Sequence, residues 1–467
     1  MRSFAFLLTC LLSAATLASP STRPNVIFIL VDDLRYDALA CTGHPWVQTP
    51  NLDRLRAEGV WFRNAFCTTS LCSPSRASFL TGTYAHTHGV TRNEVKVVDP
   101  DWSRTPSFAQ LLQKGGYETG YIGKWHIAPH ADPRPGFDYW LSFKGQGEYI
   151  DPELNENGRT FKAQGHNTDI LNEHAIKFLE TKREKPFCLY LSYKAVHDPR
   201  TPRETDANLY SDQKLPKPES YTDTFAGKPR WQRATILTQH MKAKTSAPDV
   251  IPDELPPPPP WNATNKDRLN YYRLLTAIDE GVGRIRELLD KQGQLDNTII
   301  IFAGDNGYFM GEHRLGDKRL MYEESIRIPL LMRYPPLAKA GATVEQMALN
   351  IDLAPTLLDL AGVEIPSHMQ GKSWRALLEG NVTGWRKSFL YEYWLDLKMT
   401  IPDLVGIRTN DWKLCRSPGV EDVDELYDLK ADPHELHNLA ADPAQAEKLK
   451  SMRGELEVLM KETGYAR

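Results

Sequence analysis

Residues 25–33 read NVIFILVDD: an apolar run, rich in β-branched residues, that stops at a pair of aspartates. A run this short and this apolar reads as a strand buried on both faces, as in a parallel sheet. Residues 298–306 repeat the pattern as TIIIFAGDN, a strand closed by a carboxylate and an amide. ETGYIGKW over 118–125 and FCLYLSY over 187–193 are two further runs of this kind. Helical patterns separate them: TPSFAQLLQKGG over 105–116, NYYRLLTAIDEGVGRIRELLDKQG over 270–293 and NIDLAPTLLDLAGV over 350–363. The alternation predicts an α/β fold, a large mostly parallel sheet flanked by helices.

Two departures from the alternation bound the organisation. A polar, proline-rich stretch from about Asp198 to Trp261, ending in PPPPPW, reads as an excursion over the surface that frames a cleft. After Gly384 short strand-and-turn units (SFLYEYW, LVGIRTNDWKLC, ELYDLKADPHELHNL) precede a charged helix over 443–462. The expected division is a catalytic domain over 24–384 and a smaller α+β subdomain over 385–467. Residues 1–18 read as a signal peptide: Arg2, then the apolar FAFLLTCLLSAATLA, then small residues before a cut near Ala18. That run is too short for a comfortable span, and no other segment reads as transmembrane. Secretion or a periplasmic location is expected.

With 467 residues and a formal net charge of -4, the chain can bury a large core and offers no basic field for nucleic acid. Cys10 leaves with the signal, so Cys41, Cys67, Cys72, Cys188 and Cys415 remain. They contain no C-x-x-C pair, which argues against a zinc knuckle. An odd number in an exported chain is consistent with one cysteine that has a chemical task.

The polar residues after the strands are the candidate site, because parallel sheets build sites beyond the carboxyl ends of their strands. Asp32, Asp33, Asp305 and Asn306 would bring three carboxylates and an amide to one ledge, an oxygen set suited to Ca²⁺ or Mg²⁺. Residues 68–82 read TTSLCSPSRASFLTG. Ser73 can cap a helix, Pro74 suits its first position, and Gly82 suits its end. Cys72 would then stand at a helix N-terminus, where a thiol pKa falls, with Arg76 a turn away. In GKWH, Lys124 and His126 share a strand face, so one could hold an anion and the other orient a nucleophile. His197, after another strand, is a candidate general acid, and Lys318 lies shortly after the Asp305–Asn306 pair. His313, in the same stretch, is expected near the substrate without a chemical role.

These pieces together resemble the type I sulfatases, the formylglycine-dependent family in its cysteine form. CSPSRASFLTG over 72–82 is similar to the family signature, C-x-P-S-R followed by L-T-G. NVIFILVDDLRYDAL, GYIGKWH, GDNGYFMGEHRLGDKRLMYEESIRIPLL and ELYDLKADPHELHNL resemble the other motifs in order, from about Pro24 to Leu439. The resemblance implies an alkaline-phosphatase-like fold and hydrolysis of sulfate esters. It implies that Cys72 is oxidised to formylglycine by a partner, a formylglycine-generating or anaerobic sulfatase-maturating enzyme acting on the unfolded chain. One Ca²⁺ would be held by Asp32, Asp33, Asp305, Asn306 and residue 72. Arg76 and His126 would orient the formylglycine hydroxyls, Lys124 and Lys318 would hold the sulfate, and His197 would protonate the leaving oxygen. The resemblance also implies that the hydrate's first hydroxyl would attack sulfur, and that deprotonation of the second would expel sulfate and restore the aldehyde.

Residues 133–158 and 307–330 are closer to carbohydrate sulfatases, such as N-acetylglucosamine-6-sulfatases, than to aryl or choline sulfatases. The expected substrate is therefore a sulfated carbohydrate, with a preference for 6-O-sulfated N-acetylglucosamine of glycosaminoglycan or mucin-type glycans. Trp125, Tyr139 and Trp140 are candidates for stacking on sugar rings, though core packing is their commoner use. Three alternatives stay open: other sulfated polysaccharides, aryl or choline sulfates, and phosphate or phosphonate esters cleaved on the same superfold. A non-catalytic glycan-binding chain would be expected to have lost Cys72, Lys124 or an aspartate, and all are present.

Overall fold

The structure, a computed structural model, describes residues 23–93, 100–241, 251–396 and 398–466. The expected signal over 1–18 lies outside them. Ten strands form the main sheet: β1 (Asn25–Val31), β2 (Val60–Phe62), β3 (Glu118–Lys124), β4 (Tyr139–Phe143), β5 (Glu153–Glu156), β6 (Arg159–Lys162), β7 (Phe187–Ser192), β8 (Thr298–Gly304), β9 (Leu330–Arg333) and β10 (Ala342–Val344). Their spatial order is β10-β2-β9-β8-β1-β7-β3-β4-β5-β6. The five central strands, β8 to β4, run parallel. β9 is antiparallel to β8 and β2, and β5–β6 is an antiparallel hairpin at the other edge. The four apolar runs of the sequence are thus the inner strands, and β1, β7 and β8 are buried at every residue.

Alternate residues of β1 point to opposite faces, and each face has its own helices. Ile27, Ile29 and Val31 pack with α1 (Pro50–Glu58), α4 (Asn167–Glu180) and α6 (Lys266–Lys291), the last through Leu275 and Ile278. Val26, Phe28 and Leu30 pack on the opposite face with α2 (Cys72–Thr81), α3 (Phe108–Lys114) and α7 (Leu353–Leu360), through Phe79, Leu112 and Leu357. A second, antiparallel sheet follows: β11 (Ser388–Tyr393), β12 (Leu404–Thr409), β13 (Trp412–Arg416) and β14 (Glu425–Asp428). Helix α8 (Ala446–Thr463) lies against it through Met452 and Leu456.

The excursion over 198–261 departs from the expectation of a surface loop. Helix α5 (Arg230–Met241) lies within it, and Phe225, Trp231 and Ile236 are buried in the core of the second sheet. Their apolar side chains lie too far apart to register as a periodic run, yet each finds cover against that sheet. The prolines over 256–260 stay largely at the surface, as their composition implied. Among the described residues no helix is long and apolar enough to cross a membrane.

Candidate active site

Strand register brings the site together. Val31 pairs with Gly304 across β1 and β8, and the Asp305 N–H donates to the Val31 carbonyl at 3.0 Å, so Asp305 stands beside Asp32. On the other side Asp32 exchanges backbone hydrogen bonds with Ala195 and Val196, which continues the β1–β7 ladder and carries His197 to the same ledge. β3 pairs with β7 as far as Gly123 and Ser192, so Lys124 arrives one strand further out. Gly123 has φ of +117°, and a Cβ there would lie 1.8 Å from the Ser192 carbonyl oxygen; only glycine permits this approach.

Helix α2 presents Cys72 from above this ledge. Its end is as read, with Gly82 in the left-handed conformation at the C-cap. Its start is not: Leu71 is the N-cap residue and contributes no side-chain cap. The Ser73 N–H instead donates to Asn93 Oδ1 at 2.9 Å, and the Ser73 hydroxyl donates to the His126 carbonyl. The tertiary structure offered both groups better partners than local capping. The thiol also departs from expectation. Burial, opposed by Lys318 and Lys124, pushes Cys72 up to about 12. Loss of water outweighs the helix terminus here.

Asp33 has φ of +57°. Tyr271 holds this turn: its hydroxyl donates to the Asp33 carbonyl at 2.7 Å and accepts from the Arg35 N–H at 2.9 Å. The Asp33 N–H donates to Asp305 Oδ1 at 2.9 Å, and Asn306 Nδ2 donates to Asp33 Oδ1 at 2.8 Å. The acidic groups of Asp32 and Asp33 and the sulfur of Cys72 lie within 4.8 Å of one another. Three cations answer the three carboxylates. Lys318 Nζ donates to both Asp33 oxygens at 2.6 and 2.8 Å. Lys124 Nζ donates to Asp32 Oδ2 and to Gln146 Oε1. Arg76 donates through Nε to Asp305 Oδ2 at 2.9 Å and through Nη1 to the Lys124 carbonyl and Ser192 Oγ, both at 2.7 Å.

The residues fit a divalent cation. Asp32 Oδ1 and Asn306 Oδ1 are buried without a hydrogen-bond partner, which is costly unless something else satisfies them. Burial and repulsion from Asp32 push Asp305 up to about 7. Asp32 resists its own burial and is held well below the usual range, Lys124 being the largest contributor. On their own, three carboxylates and three cations leave the site neutral. A divalent ion would relieve the carboxylates and leave surplus positive charge for a sulfate. An all-oxygen set selects a hard ion.

The two histidines reach this centre by different routes. His126 lies beyond the end of β3 with φ of +54°, so strand alternation does not put it beside Lys124; the turn does. Burial, then Lys124, holds it well below the usual histidine range, and its Nδ1 is buried without a partner. His197 Nε2 lies 3.8 Å from Asp33 Oδ2, and burial, then Lys124, lowers it too. His313 is elsewhere. It is fully buried, bonded through Nδ1 to Asp223 at 2.7 Å and stacked on Tyr322. Its φ of +48° turns it toward the second sheet.

Trp125 and Trp140 are 1% exposed and belong to an aromatic cluster with Tyr121, so they pack rather than stack on sugars. Gln146 was missed by the sequence reading. Glycines 145 and 147, with φ of +57° and +66°, set it beside Lys124; a polar residue between two glycines was the available signal. A cavity of about 320 Å³ opens beside Tyr308, the second residue after Asn306. Arg200 and Pro258 of the excursion line it, together with Asp267 and Arg268 of α6.

Comparison with known proteins agrees with this geometry. The Sulfatase family profile matches residues 24–363. The chain belongs to the sulfatase family. As a sulfatase it is a sulfuric ester hydrolase with an alkaline-phosphatase-like fold. A second profile, N-sulphoglucosamine sulphohydrolase, C-terminal, matches residues 311–462 of this sulfatase. It is 35% identical to the N-acetylglucosamine-6-O-sulfatase of Bacteroides thetaiotaomicron, over 97% of this chain and 89% of that protein. It is 31% identical to the N-acetylglucosamine-6-sulfatase of Homo sapiens, over 80% of this chain and 68% of that protein. A solved structure of a protein with its substrate D-glucosamine-2-N,6-O-disulfate superposes with a TM-score of 0.83 at 33% identity, covering 95% of this chain and 98% of that one. The phosphonate monoester hydrolase of Agrobacterium radiobacter superposes at 0.75 with 25% identity, covering 94% and 96%.

Proposed function

We propose that this sulfatase is exported and removes sulfate from carbohydrates, with a preference for 6-O-sulfated N-acetylglucosamine, using Ca²⁺ and a formylglycine made from Cys72. Its catalytic domain is residues 24–384, with 385–467 a C-terminal subdomain. The observation that carries the reading is the convergence of three carboxylates, an amide, three cations and two histidines on Cys72. Similarity to N-acetylglucosamine-6-sulfatases over most of both chains supports the sugar.

Asp32, Asp33, Asp305 and Asn306 hold the Ca²⁺, which neutralises charge on the transferring group. Formylglycine at position 72 supplies a pair of hydroxyls on one carbon, one a nucleophile toward sulfur and the other the means of sulfate release. Lys124 and Lys318 hold the sulfate oxygens. Their ammonium groups are already aimed by Asp32, Gln146 and Asp33, so little reorganisation accompanies binding. Arg76 fixes Asp305 and Asp32, and with His126 it orients residue 72. His197 gives a proton to the sugar oxygen as the sulfur–oxygen bond breaks. The cleft beside Tyr308 receives the sugar.

The test is to release free sulfate from a panel of defined sulfated mono- and disaccharides, with peptide mass spectrometry across Cys72 to establish the modification. Release from aryl or choline sulfate but from no sugar would overturn the carbohydrate reading. Similarity to a phosphonate monoester hydrolase favours one rival, hydrolysis of phosphate or phosphonate esters. Faster turnover of those esters than of any sulfate would establish it.

A further inference from the structure

Lys194 is 1% exposed, and among the described residues no carboxylate lies within ion-pair distance of it. A buried ammonium with no carboxylate bonded to it is costly, and Asp32, Asp198 and Asp33 offset that cost only from a distance. Its surroundings supply a reason for its retention. Lys194 Nζ stands 4.6 Å above the ring of Tyr149 and 3.5 Å from the Asp198 carbonyl oxygen. The Tyr149 hydroxyl donates to the His197 carbonyl at 2.7 Å, and His197 Nδ1–H donates to the Asp198 carbonyl at 2.6 Å. The turn is closed by the His197 N–H donating to the Lys194 carbonyl at 3.1 Å.

We propose that Lys194 and Tyr149 are positioning residues for His197, an inference that rests on the proton-donor role assigned to that histidine above. The pair grips both carbonyls that fix the imidazole: its own, through the tyrosine hydroxyl, and that of the next residue, through the ammonium. With Nδ1 engaged on Asp198, Nε2 is the nitrogen left to face the reaction centre. In the step it serves, the imidazole first takes a second proton, at Nε2, from solvent when the anionic sulfate ester binds beside it; that Nε2–H proton then passes to the ester oxygen as the sulfur–oxygen bond breaks. The bond's electron pair goes to that oxygen, and a neutral imidazole remains. The ammonium attracts the face of Tyr149 and so holds the phenol upright beneath the turn.

A double-mutant cycle with the mature enzyme tests this, using the sugar sulfate it turns over fastest and free sulfate as the readout. Tyr149→Phe removes one oxygen and should lower kcat about 10-fold, part of the 10²–10⁴ that proton transfer supplies, with KM within about 2-fold. Lys194→Met should act in the same direction, and Lys194→Arg should recover part of the loss. In a His197→Ala background, neither Tyr149→Phe nor Lys194→Met should cost more than about 2-fold, because what they position is gone. An equal loss in both backgrounds, or an unchanged kcat for Tyr149→Phe, overturns the proposal. If Lys194→Met does not fold, Tyr149→Phe decides alone. A His197→Ala enzyme with undiminished kcat would remove the proton-donor assignment itself, and the positioning role with it.

Discussion

Replacing Arg76 with methionine keeps an unbranched apolar stem and removes the guanidinium with its charge. Arg76 is 1% exposed, and its guanidinium makes two contacts of 2.9 Å to Asp305 Oδ2 and two of 2.7 Å to Ser192 and Lys124. It also lies 3.5 Å from Asp32 Oδ1. Asp32 keeps Lys124 as a partner, whereas Asp305 has no other cation bonded to it among the described residues. Removing one member of a buried pair leaves an uncompensated charge, and the cost is about 3–5 kcal/mol. The expected loss is at the lower end of that range, about 3 kcal/mol, for protein with unmodified Cys72 at about pH 8 in the presence of a chelator, because Asp305, already pushed up to about 7, can take up a proton when the guanidinium is gone. Urea denaturation followed by circular dichroism measures it. Asp305→Asn added to Arg76→Met should recover more than about 1.5 kcal/mol, since the orphaned charge is then gone. A loss below about 1 kcal/mol for Arg76→Met, with no recovery in the double variant, would refute the argument that this guanidinium neutralises the carboxylates at the strand ends.

Calcium should stabilise the unmodified protein, by about 2.7 kcal/mol at a hundredfold excess over Kd, and Asp32→Ala should abolish the effect. Identical unfolding midpoints in chelator and in calcium would count against the cation site. Lys318→Ala should lower kcat/KM by about 10³ with an unchanged circular dichroism spectrum, because it removes a preorganised cation from the sulfate. Full activity would remove Lys318 from the mechanism. Stability should also fall in mild acid. Burial, then His86, holds His88 down to about 3, and burial, then Lys228, holds His313 down to about 4. Both folded values lie below the ordinary 6.5, so the unfolded chain takes up protons first as pH falls. Their stabilising contribution is complete above about pH 6.5 and shrinks by about 1.4 kcal/mol per unit for each group below it, roughly 4 kcal/mol together at pH 5. Urea midpoints between pH 7.5 and 4.5 measure this, and a flat profile would refute it.

The order of the chain was enough to specify β1 and β8, because a short strand buried on both faces is apolar along nearly its whole length, as NVIFILV and TIIIFAG are. It also placed Asp32, Asp33, Asp305 and Asn306 at strand ends, where a parallel sheet opens its ledge, and it put Gly82 at the end of α2. These are local facts, set by periodicity and by the conformations glycine permits. What covers each group is not local. The thiol of Cys72 rises although it begins a helix, because desolvation depends on the α2–sheet packing. Ser73 leaves its cap for the His126 carbonyl, and His313 faces Asp223 instead of the cleft. Trp125 and Trp140 fill the core, while Gln146 reaches Lys124 and Lys194 lies against the turn that carries His197. Sequence decides which segments can be buried strands and helices; which side chains then lose water, and to whom they bond, is decided by neighbours that lie far away along the chain.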